Sequence, residues 1–467
     1  MEAKITYRGL EMKLADISAR LGGKEKLVKM LNKFKVNEKP RYGKTAEFLT
    51  KSLKPYKVDG DFIYFPQMMQ YFDIFLKALQ NIIKREFALR ELNYESVMEF
   101  YDYQSIGADI ISSALENQHA FYAQLGTGLG KTMLSIAVFL NMQVPTLIVA
   151  PTDGLAQQWL EDFKKAIPSA KIQRYSNAAK NPPNFDNCDI IIIIYKTLSG
   201  KNAEFLQNCG LAIIDEAHTY ISETKIDCLW LLQCVPNLLG LSATPNSNVN
   251  GLDVFPMRFL GNPQPIADMP GVSLDSGTFT VKVKKIEYFG DISKPWCTNV
   301  IGAMGMLSAI GTISAVINDE VRNNLIIAEI VRLRALNHGV MVFSELRDHL
   351  EILSEGLKKV NIEYEISILK GGISAESMAA TKKSGAHVVL TTYGYSRFGI
   401  SLIDMTALII ATPHRNGMEQ IIGRITRKGS DESIVREIVD IVDMNLALKS
   451  QYNTRKAVYM ARKYPIS

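Results

Sequence analysis

The strongest constraint on the fold is an apolar stretch, Ala120 to Leu125, that runs into a glycine-rich turn and then into a helical pattern from Met133 to Leu140. An apolar run of this length is typical of a buried strand, and the later spacing favours a helix. The turn contains three glycines, which permit positive φ and let backbone N–H groups approach phosphate oxygens: Gly126, Gly128 and Gly130. The order of strand, turn and helix predicts a phosphate-binding loop.

The two residues that end this loop carry the groups that such a site needs. Lys131 is expected to reach the β- and γ-phosphates of ATP. The Thr132 hydroxyl is expected to bind Mg²⁺ at the positive end of the helix dipole. The loop departs from the usual pattern at Leu125, where a first glycine is normal. Considered alone, the motif therefore leaves open a glycine-rich turn that binds no nucleotide.

A second apolar run, Leu211 to Ile214, ends in two adjacent acids, Asp215 and Glu216. The run is consistent with a buried parallel strand, and open α/β sheets bind ligands at the carboxyl ends of their strands. Asp215 suits a Mg²⁺ contact, and Glu216 suits orienting or deprotonating the attacking water. Two acids that merely begin a helix are the alternative for this pair alone.

Together these motifs resemble those of superfamily 2 helicases of the DEAH-box type, because residues 215–218 read Asp-Glu-Ala-His. The match extends from about Tyr103 to about Asp443. The resemblance implies two RecA-like domains that use ATP and act on nucleic acid. It also implies that Gln104 reads the adenine base. Pro151 and Thr152 correspond to the first nucleic-acid-contacting motif. Three further residues are implied to couple hydrolysis to domain movement: His218, Ser242 and Thr244.

In the second half, Val340 to Ser344 resembles the strand that opens the second motor domain. Thr391 to Ser401 resembles the motif that touches both nucleic acid and nucleotide. The implied contacts are Thr391 and Thr392 with nucleic acid and Gly399 with the nucleotide. Three residues match the water-positioning glutamine and the arginine fingers: Gln420, Arg424 and Arg427.

The two arginines can also be argued from the chemistry of phosphoryl transfer. Charge develops on the γ-phosphoryl oxygens, and guanidinium groups stabilise it because they are always charged and can bond bidentately. Arg424 and Arg427 lie so far along the chain from Lys131 that they are expected in a different domain, with ATP held between two lobes. A solvated helix face that includes Lys428 is the alternative for these residues alone.

Composition bounds the class of protein. The chain has 467 residues, enough for two or three domains, and its 47% hydrophobic and 22% charged content is that of an ordinary globular protein. Its five cysteines include no Cys-x-x-Cys pair, which argues against a disulfide framework or a zinc site and favours a reducing compartment such as the host cytoplasm. The amino terminus lacks the apolar core of a signal peptide. The uncharged segment 300–317 is expected to be a buried helix or an inter-lobe packing element rather than a membrane span.

Charge is unevenly distributed along the chain. Residues 1–60 hold 15 Lys and Arg against 7 Asp and Glu, a net +8, and residues 449–467 hold 5 against none. Since the whole chain is +5, the middle carries −8. Both basic ends contain aromatic residues suited to phosphate contact with base stacking: Phe34, Tyr42, Phe48, Tyr56, Tyr452, Tyr459 and Tyr464. Solvated lysine-rich helix faces are the alternative.

The alternation of apolar runs predicts an α/β protein with two tandem RecA-like, doubly wound parallel sheets after a small α/β amino-terminal module. The expected domains are a basic DNA-binding module (1–95), the first motor domain (96–250), a Gly-, Pro- and Asn-rich linker (251–277) and the second motor domain with a basic tail (278–467). Within the first module, Met68 to Phe87 is predicted to be helical.

A finer resemblance is to compact phage and viral branch-migration helicases of the UvsW type, from Tyr393-Gly394, Gly399 to Ser401, and Gln420 to Lys428. It implies an ATP-dependent DNA helicase or translocase that acts on single-stranded, forked or junction DNA without a membrane. The sequence does not give the oligomeric state, and a monomer is the working expectation. An RNA helicase or transcript-release factor, similar to poxvirus members of the superfamily, is the second hypothesis. A nucleic-acid clamp with a dead ATP site is the third, and the presence of Lys131 with both acids disfavours it.

Overall fold

The computed structural model describes most of the chain: residues 2–38, 52–71, 81–83, 85–126, 128–176, 183–200, 203–246, 251–273, 279–302, 305–360, 364–370, 387–396, 404–415, 417–426 and 430–467. The chain divides into two compact units. The first includes Met1–Gly126 and Gly130–Leu274, and the second includes Asp275–Ser467.

The first unit begins with a small mixed α/β module. Its strands are β1 (Glu2–Thr6), β2 (Gly9–Lys13), β3 (Val36–Asn37), β4 (Ser52–Leu53), β5 (Lys57–Asp59), β6 (Phe62–Phe65) and β7 (Asn81–Ile83), and its helices are α1 (Leu14–Leu21) and α2 (Lys24–Phe34). One sheet has the order β5-β6-β2-β1-β7, and β3 pairs with β4 separately. Leu10, Ile63 and Phe65 are fully buried between the sheet and the helices.

Two predictions for this module are corrected. Met68 to Phe87 is not one helix, because Gln67–Tyr71 is a 3₁₀ helix and Asn81–Ile83 is a strand that pairs in parallel with β1. Two of the aromatic residues predicted to stack on bases instead pack in the module core: Phe34 and Tyr56 lie 6.0 and 6.2 Å from Phe65, centroid to centroid. Tyr42 and Phe48 lie outside the described residues.

The rest of the first unit is a parallel sheet with helices. Its strands are β8 (Ala120–Gln124), β9 (Thr146–Ala150), β10 (Ile172–Arg174), β11 (Ile190–Ile194), β12 (Leu211–Ile214), β13 (Asn237–Ser242) and β14 (Gln264–Pro265), in the order β10-β11-β9-β12-β13-β8-β14. Its α-helices are α3 (Asp102–Gln118), α4 (Lys131–Met142), α5 (Asp153–Ala166), α6 (Glu223–Leu231) and α7 (Val254–Leu260). The described neighbours in this sheet are all parallel, as the unbroken apolar runs predict.

The amino-terminal module is joined to this sheet by specific contacts. The Gln67 backbone N–H donates to the side-chain oxygen of Gln233 over 2.8 Å, and the Gln67 amide donates to the Gln233 carbonyl. Residues 85–100 follow the module without regular structure, and Arg90 in this stretch forms an ion pair of 2.5 Å with the buried Asp189 at the start of β11. The module and the first parallel sheet are therefore one structural unit.

The predicted linker, 251–277, is corrected over most of its length. Val254–Leu260 forms α7, and Gln264–Pro265 forms β14, which pairs in parallel with β8. Phe255 and Phe259 of α7 are fully buried. The glycines and prolines that suggested a linker instead lie within or at the ends of a short helix and an edge strand of the first sheet.

The second unit contains another parallel sheet. Its strands are β15 (Val281–Tyr288), β16 (Gly339–Ser344), β17 (Ile366–Leu369), β18 (Val388–Thr392), β19 (Met405–Ile410) and β20 (Arg436–Asp443), in the order β15-β20-β19-β16-β18-β17. Its α-helices are α8 (Ala309–Val316), α9 (Glu320–Ala335), α10 (Arg347–Lys359), α11 (Tyr393–Ser396), α12 (Met418–Ile422) and α13 (Gln451–Ala461). Every neighbouring pair is parallel, so the predicted α/β class with two parallel sheets is confirmed.

The uncharged segment 300–317 is not a buried helix along its length. Ile301 pairs with Leu307 in an antiparallel bridge, and α8 begins only at Ala309. Ile301 is 59% exposed and Ile310 is 73% exposed, whereas Val316 is buried. Within the part of the chain that the structure describes, no helix combines the length and the apolar character needed to cross a bilayer.

Candidate nucleotide-binding site

The predicted phosphate loop lies between β8 and α4, as expected. Gly128 and Gly130 have φ angles of 83° and 72°, which a residue with a Cβ rarely adopts. Helix α4 begins at Lys131, so its free N–H groups and the positive end of its dipole face the loop. Leu125 continues the path of β8, its N–H donating to the Ser242 carbonyl over 3.1 Å, and its side chain is buried. Its departure from the usual glycine therefore extends the strand.

Gln104 lies directly against this loop. Its side-chain oxygen accepts from the Tyr101 N–H over 3.1 Å, which caps α3, and its amide reaches the Gly130 carbonyl at 3.5 Å. A Cβ at Gly130 would displace the Gln104 amide, and the φ angle of this residue favours glycine. The structure thus brings the predicted adenine-reading residue to the loop, although the contact with adenine stays a prediction.

The two predicted acids lie at the carboxyl end of β12, and both are buried. The Lys131 ammonium forms an ion pair with a Glu216 carboxylate oxygen at 2.6 Å. Asp215 accepts a hydrogen bond from the Trp159 indole N–H over 3.1 Å and another from the Glu216 backbone N–H over 2.9 Å. Glu216 has φ of 48°, an unusual conformation for a residue with a side chain, and such strain is typical of functional sites.

The electrostatics of this site favour an additional cation. Burial raises the pKa of Asp215 above its ordinary value; the Lys131 charge opposes this shift, and the Glu216 charge adds to it. The Lys131 ammonium is in ion-pair contact with one of these two buried carboxylates, that of Glu216. This donor set, with the Thr132 hydroxyl at the start of α4, fits a divalent cation held together with phosphate oxygens.

A chain of contacts leads from the acids to the end of β13. His218 Nδ1 lies 3.4 Å from the second Glu216 oxygen and 2.8 Å from the Ser242 hydroxyl oxygen. The Thr244 N–H donates to the same Ser242 hydroxyl oxygen over 3.0 Å. The three predicted coupling residues are therefore joined to each other and to Glu216, and a movement of the acid can reach the residues that follow β13.

The residues predicted to contact nucleic acid differ in accessibility. Thr152 is partly exposed after β9 and caps α5, its hydroxyl accepting from the Leu155 N–H over 3.4 Å, whereas Pro151 is buried. Thr391 is fully buried, and its hydroxyl donates to the Leu369 carbonyl over 2.8 Å. Its side chain therefore belongs to the second sheet. Thr392, which ends β18, is partly exposed.

The predicted residues of the second unit lie around α12. Gln420 is within α12 and Arg424 follows it, and both are buried. Arg427 and Gly399 lie outside the described residues. The prediction that Gln420, Arg424 and Arg427 act on a nucleotide bound at Lys131 stays a prediction.

Sequence reasoning missed a group of side chains beside these residues. The His414 ring stacks on the Tyr393 ring with centroids 3.8 Å apart, and His414 Nδ1 lies 2.7 Å from a Glu345 oxygen. Arg455 of α13 donates to the His414 carbonyl over 2.7 Å and to Asp440 over 2.9 Å. No motif announces these contacts, because they join residues that are distant in the chain.

The same distance in sequence hid the role of Trp159 in α5, which donates a hydrogen bond to Asp215. A lone tryptophan in a helix carries no signal of its partner. The parallel order of β9 and β12 could have suggested it, because α5 begins where β9 ends.

Comparisons with known proteins agree with the geometry. A family model described as Type III restriction enzyme, res subunit, matches residues 97–247. The chain is 34% identical over 490 residues to an African swine fever virus protein named "Putative ATP-dependent RNA helicase QP509L", an alignment that covers 100% of this chain and 92% of that protein.

Among solved structures, a variant of S. cerevisiae Dbp5 bound to RNA and ADP BeF3 is similar with a TM-score of 0.53 and 16% identity, over 79% of this chain and 94% of that one. Identity at this level supports the fold alone, and that fold is RecA-like. T4 UvsW covers 100% of this chain at 14% identity, and 99% of its own chain is matched, but with a TM-score of 0.39. That value is too low to support the predicted UvsW-type specialisation.

Proposed function

Because the chain belongs to the viral helicase family that includes QP509L of African swine fever virus, we propose that it uses ATP hydrolysis to move along and unwind nucleic acid. The observation that carries this proposal is the run of contacts from Lys131 through Glu216 and His218 to Ser242. This run places a phosphate-binding lysine, an acid suited to activating water and the residues after β13 in one connected arrangement. A dead nucleotide site would not require it.

In the proposed reaction, Lys131 exchanges its ion pair with Glu216 for the phosphates of ATP. Glu216 is then released to orient the attacking water and to accept its proton. Thr132 and Asp215 would hold a magnesium ion, which when bound supplies positive charge to the phosphate oxygens. Arg424 and Arg427 would stabilise the charge that develops on the γ-phosphoryl group, and Gln420 would position the water.

The coupling step follows from the same contacts. When Glu216 changes partner, His218 loses or gains a neighbour, and the Ser242 hydroxyl bonded to it can reorient. We propose that this switch links the state of the nucleotide to the residues that follow β13. Work would come from the difference in nucleic-acid affinity between the ATP and ADP states.

Two nucleic acids are candidates for the track. RNA is supported by the name that the African swine fever virus relative carries. Forked or junction DNA, with branch migration, is supported by the net charge of +8 in residues 1–60, which suits a duplex-binding module. In both cases Thr152 and Thr392 would contact backbone phosphates, so little sequence preference is expected.

A substrate panel tests the proposal. Purified full-length protein would be assayed for ATP hydrolysis and strand displacement on matched RNA and DNA versions of a tailed duplex, a fork and a four-way junction. If only RNA or only DNA stimulates ATP hydrolysis and is unwound, that nucleic acid is the track. Movement of the four-way junction would identify branch migration. Glu216→Gln serves as the control that binds but does not turn over. Absence of stimulation by every nucleic acid would refute the proposed motor.

A further inference from the structure

The carboxyl-terminal helix of the second unit forms a groove with the edge of the sheet. β15 is the end strand in the order β15-β20-β19-β16-β18-β17, and residues after α13 return to it. The Val283 N–H donates to the Pro465 carbonyl over 2.8 Å, and the Ser467 N–H donates to the Val283 carbonyl over 2.9 Å. The resulting cavity has a volume of about 910 Å³. We call it the C-terminal groove; its polar lining includes Lys285, Glu287, Lys456, Lys463 and Tyr464.

The aromatic residues predicted to bind bases at this end are mostly structural. Tyr459 is fully buried and its hydroxyl donates to Asp440 over 2.9 Å, and Tyr452 is also buried. Tyr464, at the groove, is half-buried. The prediction of a stacking surface is therefore wrong for Tyr452 and Tyr459, whereas Tyr464 lines the groove beside its lysines.

The charge of the groove is positive. Three lysines line it, and Glu287, which pairs with Lys285, is the single acidic side chain among the lining residues. Lys456 and Lys463 are exposed, and neither forms an ion pair with a described carboxylate. Lys285 is further held in place because its ammonium lies 5.0 Å from the centroid of the Tyr452 ring. The groove thus presents two unneutralised ammonium groups beside a third that is fixed.

Lys463 stands where a glycine would be expected. It has φ of 56° just after the end of α13, its N–H donates to the Met460 carbonyl over 3.0 Å, and the next N–H, of Tyr464, reaches the Tyr459 carbonyl over 2.9 Å. Glycine is the usual residue in this left-handed position at a helix end, because a Cβ is strained there. This conformation ends the helix and lets the chain turn back towards β15, with the Lys463 side chain at the groove.

We propose that the C-terminal groove binds the sugar-phosphate backbone of the nucleic acid on which the motor acts. The inference rests on the proposed function, which supplies a polyanion of this kind. Lys456 lies within α13 and Lys463 lies just after its end, and both line the groove. Two lysines in one groove can each contact a backbone phosphate, and such contacts require no particular sequence. The groove would be a holding contact additional to Thr152 and Thr392.

Substitutions in the full-length protein test the assignment. Lys456→Gln and Lys463→Gln each remove one charge from the groove, and Lys463→Gly removes the charge while relieving the backbone strain. Arg462→Gln is the matched control, because Arg462 is the exposed neighbour of Lys463, has the same charge and does not line the groove. Binding of fluorescein-labelled RNA and DNA, single-stranded and duplex, would be followed by anisotropy at several NaCl concentrations. Thermal unfolding would be measured in parallel.

Each groove variant should weaken binding and reduce the slope of log K against log salt by about 0.7 for single strands or 0.9 for duplexes. The Arg462→Gln control should keep the wild-type slope. Lys463→Gly should lose as much slope as Lys463→Gln while unfolding at the same or a higher temperature, which would exclude misfolding as the cause.

Three results would overturn the assignment. If the groove variants match Arg462→Gln while nucleic acid still stimulates wild-type ATP hydrolysis, the groove inference fails and the proposed function stands. If the wild-type protein neither binds nor responds to any nucleic acid, both fail. If poly-glutamate competes as well as unlabelled nucleic acid in the wild type and loses this ability in the lysine variants, the groove binds an acidic protein surface.

Discussion

The two parallel sheets both place buried charges at or near the carboxyl ends of their strands, but they satisfy those charges differently. In the first unit, Asp215 and Glu216 are both buried, and Glu216 pairs with the Lys131 ammonium at 2.6 Å. In the second unit, Arg322 bonds Asp443 twice, at 2.6 and 3.0 Å, and also donates to the Ala411 carbonyl. The Lys131 and Glu216 side chains keep 17% and 11% of their area exposed, whereas those of Arg322 and Asp443 keep 1% and 5%.

Asp440 reinforces the contrast. Arg455 donates to both of its carboxylate oxygens, at 2.9 and 2.8 Å, and the pair is almost completely buried. A bidentate, fully enclosed pair holds elements in register and has no capacity left for a ligand. Similar folds thus place buried ion pairs at the proposed nucleotide site in one sheet and in a purely structural position in the other. The following predictions test this difference.

The largest expected effect is on turnover. Glu216→Gln should lower kcat for ATP by about 10²- to 10⁴-fold, because the amide cannot accept the proton of the attacking water. Binding of a fluorescent ATP analogue should persist. The matched control is Glu351→Gln. Glu351 also forms an ion pair with a lysine, Lys370, but this pair lies on the surface of the second unit. If Glu216→Gln hydrolysed ATP at the wild-type rate, the Lys131–Glu216 pair would matter no more for turnover than the Glu351–Lys370 pair does.

The next effect is on stability. Asp443→Asn should lower the free energy of unfolding by about 3–5 kcal/mol, because it leaves the buried Arg322 without a counter-charge. Asp215→Asn should cost less, since burial already disfavours the charged form of Asp215. Urea unfolding would measure both.

A double variant checks that the loss arises from the unpaired arginine. Arg322→Met with Asp443→Leu should be more stable than Asp443→Asn alone, because no buried charge is left. If Asp215→Asn proves as costly as Asp443→Asn, the first site is as closed as the second, and the comparison is wrong.

The smallest effect is a pH dependence shared by both units. Burial lowers the pKa of His119 in the first unit to about 4 and that of His349 in the second to about 3, from an ordinary value of 6.5. Each histidine therefore contributes stability that is fully present above pH 6.5 and is lost as the pH falls towards the pKa of that histidine in the folded protein. The loss should be about 1.4 kcal/mol per pH unit for each histidine.

Urea unfolding at pH 7, 6 and 5 (roughly spanning the ordinary histidine pKa) would measure this slope. His119→Gln and His349→Gln should each flatten the curve, because each removes a buried imidazole that burial disfavours in its protonated form. A slope that both variants leave unchanged would assign the pH dependence to other groups.

How far the sequence predicted the structure depends on the range of the interactions involved. The phosphate loop and the acids after β12 were predicted from local patterns, because glycine spacing, apolar runs and the strand-to-helix change are encoded in consecutive residues. The stretch 251–277 was misjudged since its helix and its edge strand exist only by packing on β8. Met68 to Phe87 was misjudged for a similar reason, because β7 is a strand only through its pairing with β1.

Side-chain roles show the same division. Phe34, Tyr452 and Tyr459 look like base-stacking residues in a basic sequence, yet all three are buried. Thr391 belongs to a nucleic-acid motif, yet its hydroxyl bonds a neighbouring strand. Composition and charge cannot distinguish a residue that faces the solvent from one that faces the core when both lie in short, irregular or terminal elements.

The sequence by itself determined the class of fold, the phosphate loop and the acids beside it, because each depends on residues that are close together in the chain. Only the tertiary structure decided which charges are left open and which are closed. The ion pairs of Lys131 with Glu216 and of Arg322 with Asp443 join residues 85 and 121 positions apart. Their partners are chosen by the order of strands in each sheet, which no local pattern specifies.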